Sequence, residues 1–123
     1  MPELIETPTR IPVPGGKVIE EHVGAVTTPD AGLQGSVSVA HMKAPPGWSE
    51  PFQTPEFDEI TLVLAGQVLV DHDGGRLTVD AGQTVITRGG ERIRYSSGPD
   101  GAEYVAVCLP AFTDALVHRE EIT

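Results

Sequence analysis

"GWSEPFQTPEFDEITLVLAG", residues 47–66, begins and ends on glycine and runs from a proline-punctuated loop into an apolar strand. Period-two alternation puts Glu59, Thr61 and Val63 on one face of that strand and Ile60, Leu62 and Leu64 on the other. Apart from the carboxylate that opens it, the strand is apolar on both sides. One face therefore needs a core, and the other needs a second sheet or a partner subunit.

Working outward, strand-like runs recur at 17–26, 35–43, 59–64, 67–71, 76–80, 83–87, 92–96 and 103–109, separated by "TTPDAG", "APPG", "AG", "HDGG", "AG", "RGG" and "GPDG". Asp73-Gly74 between two alternating runs predicts a tight hairpin with positive φ at both central residues. Only 114–121, "DALVHREE", suits a helical turn. Four prolines in the first 14 residues make residues 1–16 an extended arm, followed by a single domain over 17–123. Short strands at this spacing, punctuated by 14 Gly and 11 Pro, argue for an all-β sandwich or barrel.

The 123 residues suffice for one core. A net charge of −10 lacks the basic footprint of nucleic-acid binding and would be repelled by an anionic membrane. One cysteine permits no intrachain disulfide. No secretory signal and no membrane-length apolar run are visible, so a soluble cytoplasmic protein is expected.

The glycines carry a resemblance. Gly47, five residues, Gln53, one residue, Pro55, three residues, Glu59, six residues and Gly66 follow the spacing of the first cupin motif. Gly82, five residues, Arg88, one residue, Gly90, two residues, Ile93, three residues and Ser97 follow the second. The chain thus resembles a small single-domain cupin. "QTPEFDE" and "CLPAFTDALVHRE" are similar to the ethanolamine-utilisation type. The resemblance implies a cupin-type antiparallel jelly-roll β-barrel with a site in its mouth, and a homodimer. In metal-binding cupins three His and one Glu hold a divalent ion. Here Gln53, Pro55 and Ile93 take the His places and only Glu59 remains. Pro and Ile have no ligand atom, and an amide oxygen is a poor transition-metal ligand. The expectation is no metal and no cofactor.

Several residues then bear on chemistry. Glu59 reads either as a general acid or base with a raised pKa or as a structural carboxylate. Gln53 would point at Glu59, to orient a substrate oxygen or to satisfy the carboxylate. Glu50 is a second site acid or an exposed edge residue. Tyr95 shares a face with Ile93 and offers a phenol to the cavity or to its rim. His41 is a replacement ligand, a proton shuttle or a solvent-facing strand residue. Trp48, Phe52 and Phe57 surround the motif as a ligand wall or as packing. Cys108 reads as a buried inert thiol. His22, His72 and His118 read as surface, and Arg92 and Arg94 as outward salt-bridge residues.

The expected function is a small-molecule-binding cupin with metal-independent acid–base chemistry of the isomerase, lyase, dehydratase or cyclase type. Glu59 and Tyr95 are its catalytic candidates. Gln53, Glu50, His41, Trp48, Phe57 and Ile93 are candidates for binding a carbonyl-containing substrate. Two other readings stay open. One is a variant metalloenzyme using Glu59 and Gln53 with His41 or Glu50; the other is a non-catalytic ligand binder or sensor.

Overall fold

The structure is a computed structural model, and it describes residues 2–29 and 35–121. The elements in order are β1 (Thr9–Ile11), β2 (Val18–Val23), β3 (Ser38–Ala44), β4 (Asp58–His72), β5 (Gly75–Asp80), β6 (Thr84–Thr87), β7 (Ile93–Leu109) and α1 (Asp114–Val117). All pairings are antiparallel, in the order β1-β2-β3-β7-β4-β5, with β6 on the other edge of β4. The expected antiparallel barrel is the observed architecture.

The long strands explain why eight runs in the sequence become six strands, the seventh, β1, coming from the arm. In β4, the inward residues are Glu59, Thr61 and Val63 before residue 64 but Val68 and Val70 after it. Register shifts between Val63 and Ala65 and between Gly66 and Val68 change the parity, so one bent strand reads as two. β7 does the same: Ile93, Tyr95 and Ser97 face inward, then Ala102, Tyr104, Ala106 and Cys108. The bend needs glycine. At Gly66 φ is +71°, and a Cβ would lie 2.1 Å from the Gly101 carbonyl oxygen.

Two expectations change in detail. The 73–74 hairpin forms, with His72 opposite Gly75, but positive φ falls on Gly75 and not on Asp73 or Gly74. His72 Nδ1 accepts the Gly74 N–H at 3.1 Å, which holds the loop in this alternative form. The arm contains a short strand, β1, paired with β2. The "TTPDAG" turn at 27–32 lies partly outside the described residues.

The main core fills the barrel: Val63, Val68, Val70, Val79, Val85, Ile93, Tyr95 and Tyr104, with Met42 and Trp48 packed against it. A smaller cluster of Phe57, Cys108 and Val117, with Phe112 and Leu116, closes one end beneath α1. The other face of β4 stays bare among the described residues. Leu62 and Leu64 are 40% and 47% exposed, and Ile86, opposite half-buried Ile60, is 51% exposed.

Candidate active site

The "PFQTPEF" segment before β4 is held on two sides. Gln53 and Ile93 exchange backbone bonds of 2.8 and 2.9 Å, so the segment lies along β7. On its other side the chain after α1 returns: the N–H of Glu56 donates to Leu116 O at 2.9 Å, and that of Glu120 to Phe52 O at 2.8 Å. This clamp aims buried Gln53 and Pro55 at the barrel interior.

Glu59 is 9% exposed and sits opposite Thr87 on β6 and Cys108 on β7. Thr61 Oγ1 donates to its Oε2 at 3.4 Å, and the Cys108 thiol also bonds it. Burial pushes the Glu59 carboxyl up to about 7; nearby Glu50 adds to the rise, while Lys17 and the two hydrogen bonds oppose it. A carboxyl near 7 exchanges its proton readily at neutral pH.

Tyr95 stands inside as well, its Oη 2.7 Å from Thr87 Oγ1. Burial first, then the Glu59 charge, hold its phenol protonated well above the ordinary value. Glu50 reaches the same chamber and accepts the Tyr95 backbone N–H. Burial raises its carboxyl, and Lys17 and Arg119 lower it. Ile93 is fully buried in the core wall, and half-buried Trp48 packs on that core.

Two groups inside the barrel, Lys17 and Tyr104, and one on the surface beside it, Arg119, escaped the sequence reading. Lys17 precedes β2 and shares the face of Ile19, which pairs with core-packed Met42. Its Nζ lies 4.1 Å from the Trp48 ring centroid and 5.4 Å from that of Tyr104. Burial lowers its pKa, against the pull of Glu50 and Glu59. Tyr104 alternates with Ala106 and Cys108 on the inward face of β7, and burial raises its phenol well above the ordinary value. Arg119 forms a bridge with Gln53, bonds Asp114 at 3.0 Å and acts electrostatically on both Lys17 and Glu50. Alternation through "KVIEE" could have revealed Lys17. Nothing local marks Arg119, whose place depends on the return of the tail.

Other candidates lie elsewhere. His41 is on the outer face of β3, its Nε2 2.7 Å from Glu103 Oε2 and its Nδ1 3.9 Å from Glu20 Oε1. Inward Met42 and Ala44 fix that alternation, so His41 is no ligand or shuttle for Glu59. Phe57 packs on Phe112 in the end cluster, with centroids 5.8 Å apart, and not in the chamber. Gln53 is only 5% exposed, but the hydrogen bonds to Glu59 come from Thr61 and Cys108 and not from its amide. Cys108 is buried, and burial drives its thiol far above the ordinary value. Arg92 and Arg94 point outward, stack on Phe52 at 3.8 and 4.6 Å, and pair with Glu120 and Asp71. His118 meets Glu56 at 2.5 Å on the surface.

The donor set can be tested against the divalent ion of metal-binding cupins. Around Glu59 the corresponding places hold an amide and two side chains without any donor atom, Pro55 and Ile93. Among the described residues no group of three His, Cys, Asp or Glu is arranged to hold an ion. These residues do not fit a divalent transition metal.

An antiparallel barrel with a carboxylate at the head of its central strand defines a small cupin. An RmlC-like cupin from Shewanella frigidimarina superposes with a TM-score of 0.73 at 14% identity, covering 93% of this chain and 94% of that one. Pac13, a nucleoside dehydratase from Streptomyces, superposes with a TM-score of 0.73 at 16% identity over 99% of this chain and 92% of its own. Residues 47–114 match the family of the ethanolamine utilisation protein EutQ, and the chain belongs to that family. A curated relative, endoribonuclease YbeY of Myxococcus xanthus, is 47% identical over 89% of this chain. The match spans only 36% of that protein's length.

Proposed function

We propose that the barrel is a metal-independent acid–base enzyme for a small organic substrate, with Glu59 as its proton carrier. The observation that carries this reading is a buried carboxyl at the head of β4, opposite Thr87 and Cys108 and bonded by Thr61, whose acidity burial shifts to about 7. A group with that acidity can both take and return a proton at neutral pH, as isomerase and lyase steps next to a carbonyl require. Tyr95, protonated and oriented through Thr87, is a fixed donor for a developing oxyanion. Gln53 adds an amide to hold a substrate oxygen. The shared fold of Pac13 supports the reading, since a barrel of this kind carries a dehydratase. The endoribonuclease activity of the M. xanthus relative is not assigned here, because this chain corresponds to about a third of that protein and carries a net charge of −10.

The test is C–H exchange in D2O. Protein is incubated with pyruvate, dihydroxyacetone and uridine, and loss of substrate C–H signals is followed by proton NMR. Exchange with the wild type and none with Glu59→Gln is expected. A Glu59 carboxyl carbon that titrates below about 4 would remove the physical basis of the proposal.

A second copy of the chain is proposed as the cover for the outer face of Ile60, Leu62, Leu64 and Ile86. A β4 apolar on both sides supports this.

A further inference from the structure

A buried ammonium normally finds a carboxylate. In this barrel the Lys17 Nζ makes no hydrogen bond and no ion pair within 4.0 Å among the described residues, although two carboxyls share its chamber. Its charge rests instead on the faces of Trp48 and Tyr104. An aromatic face attracts the charge without forming a conventional hydrogen bond, so a donor turned away from the rings can meet an oxygen acceptor. The nitrogen retains some solvent contact, since no side-chain donor is left both sealed off and unpaired among the described residues. Lys17 thus keeps an unpaired ammonium in contact with solvent, with Glu59 and Glu50 close enough to act on it electrostatically.

We infer that Lys17 is the substrate-binding cation of this barrel, and that it receives an anionic oxygen of a small carboxylate-bearing carbonyl compound. The inference rests on the reading of Glu59 as proton carrier and adds the substrate class. Three features define that class. The free ammonium donors call for an oxygen acceptor. Lys17 is the larger positive influence on Glu50, with a smaller one from surface Arg119, which is itself paired with Asp114, and a net cation favours a carboxylate over an amine. Glu59 and Glu50 would repel a second negative charge, so a monoanion fits better than phosphate. Bound in this way, the carboxylate would lie against Lys17 and the carbonyl-activated carbon would face Glu59.

Trp48 is the chain's single tryptophan and lies directly beneath the ammonium, so its fluorescence reports on the site. Wild-type protein is titrated with pyruvate, acetate and inorganic phosphate at neutral pH and constant ionic strength. Saturable change with pyruvate, and weaker or no change with phosphate, is expected. Lys17→Met keeps the stem on the rings and removes the charge; it should weaken pyruvate binding by at least about tenfold, the smaller end of a charge-assisted contact. Lys43→Met, the same change on an exposed strand residue, should leave binding unaltered. Circular dichroism of Lys17→Met checks that it folds; should it not, Lys17→Arg, which keeps charge but alters reach, takes its place and should shift pyruvate affinity where Lys43→Arg does not. Equal pyruvate affinity in wild type and the folded Lys17 variant overturns the inference, as does tighter binding of phosphate or no saturable carboxylate binding at all. The Glu59 titration is independent of these outcomes, so a failed Lys17 assignment leaves the proton-carrier reading standing. A Glu59 midpoint below about 4 would sink that reading whatever Lys17 does.

Discussion

Glu59→Gln should make this protein more stable at high pH and leave it unchanged at low pH. The native carboxyl is raised from an ordinary 4.5 to about 7, chiefly by burial. Between those values the folded state holds a proton that the unfolded chain has released. Its contribution to stability is therefore complete below about 4.5 and is lost as pH rises through 7. At roughly 1.4 kcal/mol per tenfold change in acidity, the full loss is about 3 kcal/mol. Glutamine has the same shape as the protonated acid and never ionises, so the variant escapes the loss. Denaturant melts of both proteins from pH 4 to pH 8.5 measure the difference. The difference reports Glu59 together with its coupling to Glu50 and Lys17. The curves should coincide near pH 4 and separate upward, to a gap of about 3 kcal/mol, or roughly 10 °C in Tm for a domain of this size. Parallel pH profiles, or a variant that is less stable at pH 8.5, would refute the argument. The first result would mean that Glu59 titrates alike in the folded and unfolded chain, and the second that a partner holds it ionised.

Gly66→Ala should abolish folding or cost more than about 3 kcal/mol, because the new Cβ meets Gly101 O at 2.1 Å; soluble yield and thermal melting report it. Tyr95→Phe removes the 2.7 Å bond to Thr87 and should cost about 1 kcal/mol in denaturant melts, with a larger loss of any C–H exchange activity. Dialysis against zinc or manganese followed by elemental analysis should leave far less than one ion per chain, since Pro55 and Ile93 offer no donor. If a second copy covers the outer face of β4, the wild type sediments as a dimer and Leu62→Asp as a monomer with unchanged β-sheet circular dichroism; a monomeric wild type would overturn that assignment.

The barrel was legible because its signals are local. Gly66 and Gly90 stand at positive φ within the spacing the sequence displayed, and Glu59 heads the inward face that alternation assigned to it. Strand number was less legible, because the parity change at the β4 and β7 bulges makes one bent strand look like two straight ones. The chamber was read in part. Tyr95 and Ile93 follow from two-residue spacing within one strand. His41 could not be resolved in "SVAHMKA" because small and large residues occupy both faces, and its partner Glu103 lies 62 residues away. Phe57 sits one residue before β4, where strand alternation gives no guidance, and it turned toward α1. Lys17 and Arg119 are 102 positions apart by their numbering, and only the closed barrel brings their charges together.

The clamp on residues 52–56 has a consequence for how chemistry varies in this family. The stretch that matches the family runs from 47 to 114 and includes Glu59, Tyr95 and Tyr104. Both cations that act on Glu50, Lys17 and Arg119, fall outside it. The interior carboxyls Glu50 and Glu59 and the cations that act on them are thus written in separate parts of the chain. A point change at Lys17 or Arg119 alters the charge balance around Glu50 while leaving both carboxyls in place. The acidity of the two interior carboxyls is thus set in part by side chains that form no hydrogen bond with them and stand far from them in the sequence.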